Sequence, residues 1–393
     1  MNKILKIFLK TLLKTLLFFV FCYIFMIIFP ENISKSDVMQ EMIQTPKIIK
    51  TELIAIKPKK LKLEWTKPDM DKIKRYGCVA DGLLSEYNEP QIDIEIAKNS
   101  KCYYFHRALE TWLSPPDFRK AKKTIKEIGK IDAQYGMFIA EAINTKSKYY
   151  YREKHRMFKF KDMCKRGSKN FWGEHTCKPS MDKPEYRAYL RQITRDAMDI
   201  GIKVFVFGQV KYQEKDWKKH PKVDNVIREM KEYASDIGME ILVGAQTGDI
   251  TKKGYLEFFD FIEGGVGLHT DGTTEEGPCY SKFYKIQGDW CWPLMWHDKF
   301  KSKAKNVLIY LDWNGEIGDD MNTFARLDTN KRHEVLKYLH EKLTNQNIGF
   351  LLPLITPLPI DDASCHGPKK KFYSPSMQHG CPDFDTINEI LSK

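Results

Sequence analysis

The sequence predicts an α/β fold, a closed (β/α)8 (TIM-type) barrel, and two patterns support this prediction. Continuous runs of Val, Ile, Phe and Leu recur through the second half of the chain, as in parallel strands covered on both faces. Amphipathic segments that end near a glycine stand between several of these runs, as helical crossovers do. An open doubly wound sheet is the alternative, although the glycine-rich nucleotide fingerprint that often marks it is absent.

The predicted strands follow one another along the chain. A first strand is expected at residues 77–82, and residues 103–112 are ambiguous between helix and strand. Further strands are predicted at residues 136–140, 202–207, 239–243, 258–262, 307–311 and 350–355. Each of these runs stops at a polar residue or a glycine, which marks where each strand would reach solvent.

Helices are predicted in the gaps. Residues 121–128 lead into the strand at 136–140, and a clear helical period starts at Pro184 and ends at Gly201. The same order of helix, glycine and strand recurs around Gly238 and again around Gly349. Residues 145–180 interrupt this order as a long, basic, aromatic insert, which a compact domain tolerates when the insert is functional or cross-linked.

The first thirty residues indicate a membrane segment. Four lysines precede an apolar run at residues 16–29, a pattern that predicts a cytoplasmic N-terminus and an exported remainder. The run approaches the roughly 20 residues of a spanning helix if it extends past Lys14, whose ammonium can reach the headgroups. Bulky residues at 23–30 favour an uncleaved anchor over the alternative, a cleaved signal peptide.

This reading divides the chain into three parts. Residues 1–30 are the predicted cytoplasmic tail and transmembrane signal anchor, residues 31–72 a stalk, and residues 73–393 a single α/β barrel domain. The expected localisation is a type II, single-pass membrane protein. Its folded domain would face the periplasm, or the Golgi or ER lumen in a eukaryote.

Cysteine usage agrees with export. Apart from Cys22, eight cysteines remain, an even number that indicates disulfides outside the cytosol. Taken in order they form four near-neighbour couples: Cys78–Cys102, Cys164–Cys177, Cys279–Cys291 and Cys365–Cys381. Nested pairing stays open, and a zinc site is disfavoured because no CxxC occurs.

The formal net charge of +12 is compatible with two partners. Clustered lysines could attract anionic headgroups or an acidic glycan, or they could be ordinary solvated side chains. Nucleic-acid binding is not expected, because an exported chain rarely meets nucleic acid and no recognition motif is present.

Three acids stand at predicted strand ends and are the candidate catalytic residues: Glu141, Glu263 and Asp312. Parallel strands of a barrel converge on one rim, and glycoside hydrolysis requires two carboxyl groups on either side of a sugar. Each acid could instead cap a helix or hold a loop through backbone N–H groups.

Candidate substrate-binding residues lie near the same predicted rim. Trp313 follows Asp312, and Trp292 belongs to a tryptophan cluster; indoles stack on sugar faces, or they could fill space beneath a closed loop. Polar candidates are Arg107, Gln209, Gln246 and His269. Arg107 could instead form an internal salt bridge, the two glutamines could make structural hydrogen bonds, and His269 could be an ordinary loop histidine.

The segment 312–320 is the densest polar cluster. Glu316, Asp319 and Asp320 could assist Asp312, bind a hydroxyl-rich ligand or coordinate calcium, but their spacing does not match a twelve-residue calcium loop. No metal and no other cofactor is predicted. The Asp319-Asp320 pair gives weak support to a metal-dependent glycosyltransferase.

Strand-end acids with aromatic loops resemble the exported (β/α)8 glycoside-hydrolase-like proteins over residues 76–360. The resemblance rests on architecture and not on a family motif. It implies a glycan substrate, with Asp312 as the nucleophile-like acid and Glu263 or Glu141 as proton donor.

The leading hypothesis is a membrane-anchored carbohydrate-active enzyme, a glycoside hydrolase whose glycan lies outside the cytosol. Two alternatives stay open, a non-catalytic glycan-binding or assembly protein and a type II glycosyltransferase of the secretory pathway.

Overall fold

Eight parallel strands form a closed barrel in the computed structural model, which describes residues 66–85, 87–112, 114–214, 221–246, 253–274, 304–313, 319–358, 363 and 365–393. Each strand pairs in parallel with the next, and the last pairs with the first. The strands are β1 (Gly77–Ala80), β2 (Tyr104–Glu110), β3 (Gln134–Ile139), β4 (Val204–Phe207), β5 (Leu242–Gln246), β6 (Phe261–Gly265), β7 (Val307–Tyr310) and β8 (Gly349–Pro357). The predicted (β/α)8 barrel is confirmed.

The described helices are α1 (Met70–Tyr76), α2 (Pro90–Asn99), α3 (Phe118–Ile128), α4 (Pro184–Asp199), α5 (Val223–Asp236), α6 (Lys253–Leu256), α7 (Asp320–Arg326), α8 (Thr329–Thr344) and α9 (Phe384–Ile390). Helices α2 to α8 lie between successive strands in the chain, while α1 precedes β1 and α9 follows β8. Their ends follow local rules. Asp117 caps α3 through the N–H groups of Arg119 and Lys120, and Gly129 ends that helix at φ 67°.

The core has two layers, because successive side chains of a strand point to opposite faces. Phe105 packs in the layer between strands and helices, whereas its neighbour Tyr104 packs in the barrel interior. Other interior residues are Val79, Phe138, Val204, Val206, Phe261, Leu308, Tyr310 and Leu351. Ile73 of α1 joins this interior cluster from the N-terminal side of β1. The opposite, C-terminal rim is where β2, β3 and β7 end.

Two predicted strands are displaced by three residues along the chain, and one of these shifts affects the candidate site. β5 extends through Gln246, beyond the predicted stop at residue 243. β6 begins at Phe261 and not at 258, because the preceding residues form the turn after α6. It then continues through Gly264 and Gly265, which pair with β7. Glu263 therefore lies in the middle of its strand and not at its end.

The predicted insert is an elaboration that follows β3. Ile143–Asn144 pairs antiparallel with Thr176–Cys177, and Tyr150–Tyr151 pairs with Arg156–Met157. Short 3-10 turns occupy Arg152–Lys154 and Phe160–Met163. The aromatic residues of this segment pack on Tyr189 of α4 and give it a small core of its own: Tyr149, Phe158 and Phe160.

Three of the four predicted disulfides are present: Cys78–Cys102, Cys164–Cys177 and Cys365–Cys381. Their Cα–Cα distances of 5.0–5.8 Å suit a disulfide. The fourth predicted pair, Cys279–Cys291, lies outside the described residues.

The C-terminal segment is fastened to the barrel. Phe372–Tyr373 pairs antiparallel with the end of β8. Asp383, which is fully buried, accepts hydrogen bonds from Arg332 of α8 at 2.9 Å and from the Tyr373 hydroxyl at 3.0 Å. A buried carboxylate held by several donors fixes this segment in one position.

Within the described part of the chain, no helix is long and apolar enough to cross a membrane. The segment predicted to do so, residues 1–30, lies outside the described residues, so the anchor stays a prediction. The barrel belongs to one unit that covers residues 60–393.

Candidate active site at the barrel rim

Arg107 occupies an irregular position in β2. The pairing register with β3 shifts between Phe105 and Leu109, and Arg107 itself has a φ of 55°. A non-glycine residue in this left-handed region is strained, and such residues recur at functional sites. The irregularity changes the direction of the Arg107 side chain relative to a regular strand.

Two acids and two aromatic rings surround the Arg107 guanidinium. Its Nε and Nη2 atoms lie 2.7 Å and 2.6 Å from Oε1 of Glu110, and Nη2 lies 3.6 Å from Oδ2 of Asp81. Its Cζ atom is 3.9 Å from the ring centroid of Phe138 and 4.6 Å from that of Trp313. Of the two alternatives for Arg107 that the sequence left open, the internal salt bridge is present, and it lies at the rim.

Asp81 and Glu110 were not among the predicted site residues. Asp81 directly follows β1, so the same strand-end rule that selected Glu141 would have found it. Glu110 ends β2, which the sequence left ambiguous. Burial raises the pKa of Asp81 well above its usual range, the negative charge of Glu110 adds to this, and Arg107 opposes it.

Glu141 lies two residues beyond the end of β3 and is only 3% exposed. Burial raises its pKa, while the positive charges of Arg107 and Lys178 act in the opposite direction. Its Oε2 atom accepts no hydrogen bond from the described residues. Gly208, just beyond β4, leaves room for this oxygen, because a Cβ at that position would overlap it. Glu141 is therefore a buried carboxyl with one oxygen available to a new partner.

Asp312 lies two residues beyond the end of β7 and is half-buried. Burial raises its pKa to about 8, and the neighbouring charges of Asp320 and Asp319 contribute in the same direction. Arg107 again opposes the shift. A carboxyl with this pKa is mostly protonated at neutral pH, so it is able to donate a proton.

Asp319 and Asp320, the other described acids of the predicted cluster at 312–320, have structural roles. Asp320 accepts hydrogen bonds from the backbone N–H groups of Val266, Gly267 and Leu268 at 2.7–3.1 Å, which ties the end of β6 to α7. Asp319 caps α7. Glu316 lies outside the described residues. The described ranges contain no group of three His, Cys, Asp or Glu residues arranged to hold a metal ion.

Glu263 lies inside the barrel, fully enclosed. Its Oε2 atom is 3.3 Å from Nε2 of His106, whose Nδ1 is 3.1 Å from the Tyr104 hydroxyl. The charge of Glu263 adds to the effect of burial in raising the pKa of Tyr310. The carboxyl group of Glu263, which was expected at a strand end, therefore lies in the barrel interior below the rim. A glycan at the rim does not reach it in this conformation.

The remaining predicted substrate-binding residues do not share one environment; they are Gln246, Gln209, His269 and Trp292. Gln246 donates a hydrogen bond from Nε2 to the Tyr310 hydroxyl at 3.0 Å, inside the top of the barrel. Gln209 follows β4 with a φ of 31° and is half-buried. His269 is exposed in a turn closed by hydrogen bonds between residues 269 and 273. Trp292 lies outside the described residues.

The rim thus brings together two of the three predicted acids. The charge of Arg107 acts on the carboxyl groups of both Glu141 and Asp312, so both lie near one guanidinium. Trp313, the predicted aromatic neighbour, packs against the same guanidinium. Two raised carboxyl pKa values beside one buried cation form a site that is equipped for proton transfer.

No protein-family profile and no curated protein sequence matches the chain. Solved structures similar in fold include a GH27 β-L-arabinopyranosidase from Geobacillus stearothermophilus, with 12% identity over 48% of this chain and 51% of that enzyme and a TM-score of 0.32. A GH113 β-1,4-mannanase has 12% identity over 80% and 95% of the two chains, with a TM-score of 0.42. A maltogenic α-amylase from Thermotoga neapolitana has 11% identity over 71% and 65%, with a TM-score of 0.40.

The chain spans about half the length of the arabinopyranosidase. The chain resembles these enzymes in fold, as expected, and the closed barrel itself is shown by the strand pairing. Similarity at this level carries no argument about activity, so function is argued below from the residues of the rim.

Proposed function

We propose that this protein is a carbohydrate-active enzyme of the glycoside hydrolase type, which cleaves a glycan at the C-terminal rim of its barrel. One observation carries the proposal. Trp313, which follows Asp312, and Phe138 both pack on the Arg107 guanidinium, and Phe138 and Oε2 of Glu141 both lie against Gly208. Glu141 and Asp312 therefore lie at the same part of the rim, and burial raises the pKa of both carboxyl groups. Glycoside hydrolysis uses a protonated carboxyl group and an ionised one beside the same sugar.

The raised pKa of Asp312 makes it the proposed proton donor to the leaving-group oxygen. Glu141 is then the proposed nucleophile or base, because the positive charges of Arg107 and Lys178 oppose the rise in its pKa that burial causes. This reverses the roles expected from the sequence. Glu263 is enclosed with His106 and is proposed to support Tyr310 from below instead of touching the glycan.

Trp313 has a proposed part in holding the sugar. Its ring is half-buried and packs against Arg107 and Tyr310, so its orientation is fixed. A fixed indole with one exposed face stacks on the C–H face of a pyranose at little entropic cost. Gln209 and Gln246 are proposed as hydrogen-bonding groups that position the sugar hydroxyls.

We also propose that the enzyme is anchored in a membrane by residues 1–30, with the barrel on the extracytoplasmic side. The lysine-flanked apolar run and the three disulfides support this topology. Protease treatment of sealed vesicles tests it, since the barrel is expected to be accessible only from the extracytoplasmic side.

The experiment that tests the catalytic proposal measures release of reducing ends from a panel of glycans by the detergent-solubilised full chain. Asp312→Asn and Glu141→Gln are each expected to lower kcat by at least about a hundredfold, as removal of a general acid or nucleophile does. Glu257→Gln, a change at an exposed carboxylate, is the matched control and is expected to leave kcat unchanged.

Glycan binding should survive both substitutions, because an amide keeps the shape of the carboxyl group. Binding without turnover by the unaltered chain would instead favour the alternative of a non-catalytic glycan-binding protein. Unchanged turnover in both amide variants would refute the assignment of these two residues.

A further inference from the structure

The insert after β3, residues 145–180, is set beside the rim by a short antiparallel ladder. Ile143 pairs with Cys177, so the chain that leaves Glu141 runs alongside the chain that enters Lys178. The Cys164–Cys177 disulfide holds the second of these segments in place. In agreement with this, the charge of Lys178 acts on the Glu141 carboxyl. The insert therefore borders the proposed catalytic groups.

Three aromatic residues form a surface between the insert and β2, which we call the aromatic shelf: Trp112, Phe171 and Trp172. The ring centroids of Trp112 and Trp172 are 5.6 Å apart, and those of Phe171 and Trp172 are 4.9 Å apart. Phe171 is 53% exposed, and both tryptophans are half-buried. Exposed ring faces on a disulfide-fastened segment are suited to stacking against a sugar.

The aromatic shelf lies at the level of the rim and not lower on the barrel. Trp112 is two residues past the end of β2, and its neighbour Thr111 donates its backbone N–H to the carbonyl of Phe138 at 3.1 Å. Phe138 in turn packs against Arg107. The shelf is thus continuous with the cluster that contains the proposed catalytic carboxyls.

The insert is strongly basic. Residues 145–180 contain eleven lysine and arginine residues against three acidic residues. Some of these cations bind acids of α4, as Arg152 binds Asp196 and Arg156 binds Glu185. Lys178 lies on the shelf itself, with its Nζ 3.6 Å from the ring centroid of Phe171. An excess of positive charge beside a binding surface raises the local concentration of anions.

We infer that the aromatic shelf and Lys178 form a subsite for an acidic sugar, a pyranose that carries a carboxylate or a sulfate group, next to the site of bond cleavage. The sugar ring stacks on Trp172 and Phe171, and its anionic group lies toward the Lys178 ammonium. This deepens the proposed function by naming the substrate as an anionic glycan, and it rests on that proposal only for the link to cleavage.

Calorimetric titration of the detergent-solubilised full chain tests the subsite by binding alone. The probes are an oligogalacturonate, a carrageenan-derived oligosaccharide, which carries sulfate groups but no carboxylate, and a cello-oligosaccharide of equal length. At low salt at least one acidic probe is expected to bind roughly tenfold or more tightly than the uncharged one, and the preference should shrink as salt rises above ~0.1 M. Which acidic probe binds distinguishes carboxylate from sulfate. Equal affinity for all three probes would overturn the inference.

Two variants connect the effect to the shelf. Lys178→Gln is expected to lower affinity for the acidic probe roughly three- to tenfold without changing affinity for the uncharged one. Trp172→Leu, which keeps an apolar side chain, should lower the affinity for the acidic probe and for the uncharged probe alike, each by about tenfold. The matched controls are Lys337→Gln and Tyr338→Ala, changes at an exposed cation and an exposed ring on α8.

Control variants that weaken binding as much as the shelf variants would overturn the inference, because attraction would then be a property of the whole basic surface. The readout is independent of turnover. If the chain binds the acidic probe through Lys178 but releases no reducing ends, the subsite stands and only the proposed catalysis fails.

Discussion

Arg107 and Glu110 are joined by two short contacts to a single oxygen, since both Nε and Nη2 of the guanidinium lie within 2.7 Å of Oε1. Both residues belong to β2, three positions apart, and the irregular backbone at Arg107 makes the contact possible. Asp81, the residue after β1, has its Oδ2 atom 3.6 Å from Nη2 of Arg107. Arg107, Glu110 and Asp81 thus form a nearly buried group of charges at the rim, and their contacts hold the three side chains in place.

Replacement of Arg107 by methionine should therefore destabilise the fold. The side chain is 11% exposed, and its removal leaves the carboxyl groups of Asp81 and Glu110 without their cation. We expect the free energy of unfolding to fall by about 3 kcal/mol. Urea titration measures this, with Arg228→Met as the control, because the Arg228–Glu232 pair is exposed and should contribute less than about 1 kcal/mol. Equal losses in the two variants would contradict a central role for Arg107.

Gly208→Ala tests the packing around Glu141. The added methyl group would overlap Oε2 of Glu141 and the ring of Phe138, so the carboxyl group must move. We expect kcat to fall at least about tenfold and the free energy of unfolding to fall by about 1–3 kcal/mol. Full activity in this variant would show that the position of Glu141 is unimportant for turnover.

The Cys164–Cys177 disulfide should support the insert more than the barrel. Serine substitution of both cysteines removes the cross-link from a short loop. In the chain-entropy model the stabilisation lost is about 3 kcal/mol of unfolding free energy. Limited proteolysis is expected to cut within residues 145–180 first, while the barrel strands stay protected. Loss of protection throughout the barrel would show that the insert and the barrel unfold together.

Glu263→Gln distinguishes an enclosed carboxyl group from a catalytic one. Neither oxygen of Glu263 accepts a hydrogen bond from the described residues, and its ionic neighbour among them is His106. We expect the free energy of unfolding to change by less than about 1 kcal/mol or to rise. The value of kcat should stay within about tenfold of the unaltered chain. A loss as large as that of Asp312→Asn would restore Glu263 as a catalytic candidate.

The barrel was predictable because its signals are local. Buried parallel strands read as continuous apolar runs, and the helix between Pro184 and Asp199 shows a clear apolar period. Near-neighbour pairing of cysteines was also predictable where short loops bring them together, as at Cys365–Cys381.

The site was predictable only in part, because its geometry depends on register. A strand boundary shifted by three residues moved Glu263 from the rim into the barrel interior. The irregularity at Arg107 in β2, which brings Glu110 and Asp81 together, has no signature in composition or period. Asp320 could not be distinguished from a ligand-binding acid, since three of its backbone donors, Val266, Gly267 and Leu268, come from a distant segment.

The pH dependence of cleavage tests the central claim most directly, namely that Asp312 donates the proton. Its pKa is raised to about 8, so the carboxyl group is fully protonated well below this pH and loses its proton as the pH rises through 8. We expect kcat/KM for the natural type of glycosidic bond to fall above about pH 8. Asp312→Asn should retain activity on an aryl glycoside whose leaving group needs no proton, and the alkaline decline should disappear in that variant. An alkaline decline that persists unchanged in Asp312→Asn would contradict the assignment.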